Sequence, residues 1–201
     1  MSNGKVTILV REDENTFHLD GKELYGCSQF FASALTGGFR EAEESIVRLP
    51  EIDAQTFRIF ERWLSGQRIS GFKDLDWRLL CKFFVLTDYL QVSSVQEPLL
   101  SVLRLKRRES GSVPISQIPF IYDNTLSDSP LRRLWVGWVM ELPAPEIFED
   151  EKWEFPKEFL PHIIRKMKAA QQMAGMSALM HAGVSDEDVT SPRDAHRRLP
   201  G

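Results

Sequence analysis

The chain is poor in the residues that most often carry chemistry. It holds two cysteines and four histidines in 201 residues, with no Cys-x-x-Cys and no His pair at metal-ligand spacing. A zinc finger needs clustered soft ligands, so none is encoded. Cys27 and Cys81 lie in apolar helical patterns and read as buried thiols of a reducing compartment, not as a disulfide or a ligand pair. His18, His162, His181 and His196 are scattered over predicted strand, helices and tail. No apolar run approaches the ~18 residues of a membrane span, and the opening MSNGK lacks an apolar signal segment. An intracellular protein, cytoplasmic or nuclear, is expected, with no membrane partner. Gly37-Gly38 is followed by neither Gly-Lys-Ser nor G-x-G-x-x-G, so it reads as a helix stop rather than a phosphate cradle. The net charge of -4 gives no bulk attraction to nucleic acid or anionic lipid. A catalytic dyad assembled by folding stays open, but the expectation is a protein without catalytic residues, cofactor or metal.

What is present is ordinary globular composition, 42% hydrophobic and 27% charged, enough to bury a core without disulfides. Val6, Ile8 and Val10 alternate as a half-buried strand, and Thr16–Leu19 completes a hairpin across the EDEN turn. Ser28 is placed to cap a helix carrying Phe30, Phe31, Ala34 and Leu35. Asp53 caps another, with Phe57, Phe60, Trp63 and Leu64 on one stripe and Gly66 beyond its end. Leu75, Leu79, Phe83, Leu86 and Leu90 form a further stripe. Ser94-Val-Gln-Glu97 reads as a capping box opening a helix to about Arg104. Phe31, Leu49, Phe57, Phe60, Trp63, Phe83 and Leu86 are the expected core. Residues 1–108 form a first domain and 109–117 a Ser/Pro-containing linker. Residues 118–182 form a helical region, with Ser129-Pro130 as a strong helix start before Leu131, Leu134, Trp135 and Trp138. The polar stretch 183–201 reads as a disordered tail. The class is α+β: a helical cluster flanked by a small sheet, then an α-helical C-terminal region.

From Phe17 to Gln67 these parts follow an uncommon order, and that order resembles the BTB/POZ domain. The family pattern is a strand ending F-x-V-H, then a helix, S-x-x-F, a G-x-F-x-E loop, a V-x-L strand and a helix ending W-L-x-x-G. It falls here on Phe17 and Leu19, Ser28 with Phe31, Gly37–Glu41, Val47–Leu49, and Trp63, Leu64 and Gly66. The segment IYDNTLSDSPLRRLWVGWVMELP is similar to the region following many BTB domains of filamentous fungi, which implies a fungal origin but attaches no function to that half. The resemblance implies a non-catalytic protein–protein interaction module. Two departures stand out: Asp20-Gly21 where the family often has His-Lys, and Glu23 at a commonly apolar helix position. Only Met1–Lys5 precede Val6, where dimeric BTB regulators carry an exchanged helix and strand, so a short form rather than a swapped homodimer is implied.

The acidic loop is the sharpest candidate site. Phe39-Arg40-Glu41 matches the hydrophobic-x-acidic element that many BTB domains present to cullin scaffolds of ubiquitin ligases. An exposed Phe39 could enter a partner's groove while Glu41 selects a basic neighbour, with Arg40, Glu43 and Glu44 completing the candidate protein-binding set; alternatively Phe39 folds onto the core and Glu41, Glu43 and Glu44 solvate a loop. A substrate adaptor for a cullin ligase is thus the narrower reading, and a self-associating structural protein a third. Arg104, Lys106, Arg107 and Arg108 end a predicted helix, where cations complement its dipole, so no direct nucleic-acid partner is expected.

Overall fold

Alternating apolar residues in three short segments build a sheet with one dry face. The computed structural model describes residues 4–11, 15–38, 40–142 and 153–182. Strands β1 (Lys5–Val10), β2 (Asn15–Asp20) and β3 (Ile46–Leu49) lie in the order β2-β1-β3, with β1 antiparallel to β2 and parallel to β3. The register sets Val6 opposite Leu19, Ile8 between Phe17 and Val47, and Val10 opposite Leu49. All seven side chains are buried. Because strand side chains alternate at a period of two, this register puts every one of them on the same face.

Helices cover that face. Helix α1 (Gly21–Cys27) follows β2 directly, its N-terminus capped by the Asp20 carboxylate accepting from Lys22 N. A Cβ at Gly21 would come within 3.1 Å of Gly4 O, so the Asp-Gly departure provides both a cap and room for the β1 backbone. Ser28 caps α2 (Gln29–Thr36) by accepting from Phe31 N, and its hydroxyl donates to Leu90 O at 2.6 Å. Helix α4 (Ala54–Leu64) begins at Asp53, whose carboxylate accepts from Thr56 N and Thr56 Oγ1. Its buried stripe lays Phe57 against Phe17 at 4.7 Å and Phe60 among Phe31, Phe57 and Trp63. Of the expected core residues, Trp63 is half-buried and the other six are buried.

Helix α5 (Trp77–Tyr89) is capped by Asp76, whose carboxylate accepts from Leu79 N. Helix α6 (Ser93–Ser110) corrects the capping-box expectation. Val92, not Ser94, precedes it, no side chain caps it, and Pro98 sits in its second turn. Val92 is buried and its N–H donates to Thr87 O, so the residue before the helix is held against the end of α5. The helix also continues past Arg104 to Ser110, where Gly111 stops it at φ +65°. Within 109–117, a 3-10 turn covers Ile115–Gln117. Helices α7 (Ile118–Asn124) and α8 (Pro130–Met140) follow, the second capped by Ser129 accepting from Leu131 N.

The surface joining α7 and α8 to the preceding helices is aromatic. Trp135 and Trp138 both meet the Trp77 ring edge to face, at 6.2 and 6.0 Å, and Trp135 Nε1 donates to Pro114 O at 3.1 Å. The guanidinium of Arg78 lies over Phe120 and that of Arg107 over Trp138. The architecture is α+β. The chain divides into two compact units between Phe159 and Leu160. In α9 (Phe159–Ala182), Leu160, Ile164 and Met167 are exposed and share one stripe. The tail expected at 183–201 lies outside the described residues.

Candidate functional site

The candidate loop forms a short helical turn, α3 (Arg40–Glu44), between α2 and β3. In place of the expected loop there is one helical turn, which the i,i+4 pair explains, since Arg40 Nε reaches Glu44 Oε1 at 2.5 Å and Arg48 approaches Glu44 Oε2 at 3.5 Å. The hydrogen bond from Arg40 holds the Glu44 carboxyl below its ordinary value and the Arg40 guanidinium above its own. Two members of the candidate set are therefore committed to each other. Glu41 is half-buried and Glu43 exposed. Phe39, the proposed anchor, lies outside the described residues.

A second surface was not legible in the sequence. An open groove of about 1180 Å³ lies among the start of α4, one face of α5, and α7 with the turn that follows it. Helix α5 contributes Lys82, Val85, Leu86 and Tyr89, and α7 contributes Phe120 and Asp123, each set at the three- and four-residue spacing of one helix face. Arg11, Glu51, Ile52 and Asp53 line it from the end of β1 and the segment after β3, and Leu126 from the turn after α7. Tyr89 and Leu126 are the large apolar side chains it leaves in water, 53% and 74% exposed.

Asp53 ties α4 to α5. Its second oxygen accepts from Lys82 Nζ at 2.8 Å while also holding Thr56. Burial opposes ionisation of this carboxyl more than any other single influence. The hydrogen bonds from Lys82, Thr56 N and Thr56 Oγ1 together outweigh it and leave the carboxyl below its ordinary value.

The other wall is fixed by Arg132, a buried guanidinium in α8. It donates to Tyr122 O, Thr125 O and Thr125 Oγ1, the last two at the C-terminal end of α7, and to Glu158 Oε2 at 2.7 Å. Carbonyls at a helix end lack intrahelical partners, so one planar fork both satisfies them and aims the turn carrying Leu126. Arg132 also lies 4.3 Å from the centre of the Tyr122 ring. Burial, against the pull of Arg132, raises the Tyr122 phenol to about 12.

The thiols are poor nucleophiles at neutral pH. Burial pushes Cys27 up to about 11, partly offset by a backbone hydrogen bond, and pushes Cys81 higher still. Among the described residues no group of three or more His, Cys, Asp or Glu is placed to hold a metal ion, and no helix is long and apolar enough to cross a membrane. Three of the four cations in the basic cluster are engaged within the chain, and Arg108 is exposed. Arg104 pairs with Glu97, Lys106 donates to Lys73 O beneath the Trp77 ring, and Arg107 pairs with Glu141 at 2.6 Å. Searches against protein-family models and against curated proteins found no match for the chain.

Proposed function

We propose that this chain is a non-catalytic docking module of the BTB/POZ kind, carrying a helical companion. The observation that carries the reading is the open groove, walled jointly by α4, α5 and α7, which leaves Tyr89 and Leu126 in water. A concave site with apolar side chains left in water and polar groups converging on it is the first place to look for a bound partner. The motif residues also have physical roles that fit the resemblance. Ser28 caps α2 and bonds to Leu90 O, Phe31 is buried beneath it, and Val47 and Leu49 complete the dry face of the sheet. The test is capture from lysate by immobilised full chain, wild type against a Leu126→Asp, Tyr89→Ser pair. Loss of specific bound proteins in the variant is expected. No protein above the bead background with wild type would sink the reading.

An adaptor role toward a cullin scaffold is the narrower proposal. It is favoured by Glu43, exposed on α3 and outside the Arg40–Glu44 pair. Calorimetric titration of purified cullins against wild type and Glu41→Lys, Glu43→Lys chains tests it. An absence of heat with every cullin removes the adaptor reading and leaves the general one standing.

A further inference from the structure

We infer that the groove takes an extended peptide segment of another protein, one with a single large aliphatic or aromatic side chain flanked by lysines or arginines. This names the partner's chemistry for the docking reading above and rests on it. Size comes first. At about 1180 Å³ and open to solvent, the groove exceeds the space of an ordinary small-molecule pocket, which runs to about 300–1,000 Å³. A chain segment fills such a trough better than a compact ligand does.

Apolar character comes second. Leu126 and Tyr89 project from different elements, beside the half-buried Val85 and Phe120. One large apolar side chain seated among these four would remove exposed apolar surface from water on both partners.

Charge decides the flanks. Glu51 faces the groove from the segment after β3, Asp88 from α5 and Asp123 from α7. Among the described residues none of these three is in an ion pair; Asp88 accepts a hydrogen bond from the neutral amide of Gln96. The opposing cations are Arg11 and Lys82, and Lys82 is committed to Asp53. The unneutralised excess is acidic, so it attracts lysine and arginine and repels phosphate. The same sign argues against two other occupants. A second copy carries a net charge of -4, and the chain's own stretch 143–152 contains Glu146, Glu149, Asp150 and Glu151.

The test uses the full chain and fluorescein-labelled nonapeptides with a central Leu or Phe. One set is flanked by Lys and Arg, the other by Glu, and anisotropy is read at moderate salt. The Lys/Arg set is expected to bind at least about tenfold more tightly than the Glu set. A Glu51→Lys, Asp123→Lys chain should reverse that preference, whereas Glu109→Lys, outside the groove, should leave it in place. Leu126→Ser, which removes the apolar side chain without adding charge, should weaken the Lys/Arg set about tenfold. Equal binding of both sets, no binding, or an equal effect of Glu109→Lys would overturn the inference, as would indifference to Leu126→Ser. If wild type still captures lysate proteins that the Leu126→Asp, Tyr89→Ser pair loses, the docking reading survives and only the peptide chemistry assigned to the groove falls.

Discussion

Trp135 offers the cleanest way to ask whether residues 118–142 are part of the first unit's core or a tethered appendage. The indole is fully buried, meets Trp77 and Trp138 ring to ring, and donates to Pro114 O. Truncation to alanine removes the ring and leaves a cavity, which costs about 3–5 kcal/mol for a large aromatic side chain. Trp135→Phe keeps much of the ring but deletes the Nε1–H bond, leaving the Pro114 carbonyl to find another donor; a loss of about 1–2 kcal/mol is expected. With a urea slope of about 2 kcal/mol/M, the alanine variant should shift the midpoint by about 2 M and the phenylalanine variant by less than half as much. Hydrogen exchange read segment by segment is the sharper assay. Because Trp77 opens α5, Trp135→Ala should raise exchange in α5 at Phe83 and Leu86 as well as in α8. Faster exchange confined to α8, or a second unfolding transition with α5 untouched, would refute the shared-core argument.

Four further outcomes follow from the packing and the charges. Phe60→Ala should cost about 3–5 kcal/mol in denaturant unfolding, since the ring is buried among Phe31, Phe57 and Trp63; a loss below about 1 kcal/mol would mean the α4 stripe has another phase. Asp53→Ala should cost about 1 kcal/mol at pH 7 through the lost cap. The Asp53 carboxyl is held below its ordinary value of 3.8, so its contribution is complete above that pH and fades as pH falls through the lowered value. Wild type and variant should therefore converge in stability at acid pH, and a constant gap would contradict the assignment. Arg132→Met should cost about 3 kcal/mol by stranding helix-end carbonyls, with Arg132→Lys recovering less than half because an ammonium cannot span the same acceptors. Arg107→Ala should destabilise by about 1 kcal/mol, with a coupling to Glu141 measurable in a double-mutant cycle, and leave any weak affinity for duplex DNA unchanged.

Elements governed by short-range chemistry were legible in the sequence. Ser28, Asp53 and Ser129 each bond to a backbone N–H two or three residues onward, so the signal and its consequence share one window. The Phe57/Phe60 stripe and the alternation of β1 are equally local. The Arg40–Glu44–Arg48 spacing was also present and could have announced that Glu44 is spoken for. Other features depend on distant partners. The parallel pairing of β3 with β1 joins segments separated by three helices. Arg132 sits in Leu-Arg-Arg-Leu-Trp, where a charge is ordinarily assigned to the surface; its burial depends on carbonyls that only the fold of α7 brings to it. The groove draws its lining from widely separated stretches of chain, and no single stretch reads as a site.

The basic run at the end of α6 shows how such long-range pairing changes the meaning of charge. Read along the sequence, Arg104 to Arg108 offers either a dipole complement or a phosphate-binding patch. In the structure Lys106 and Arg107 are fasteners: one lies against Trp77 and Lys73 O, the other against Trp138 and Glu141. These partners give the last turns of α6 something to hold, which is why the helix runs on to Ser110. None of the six residues lines the groove. Lys106 and Arg107 therefore do not offset Glu51, Asp88 or Asp123, which line the groove without an ion pair among the described residues. The acidic balance of the groove, and with it the proposed preference for lysine and arginine, rests on the groove's own lining, not on the basic run that the sequence displays most openly.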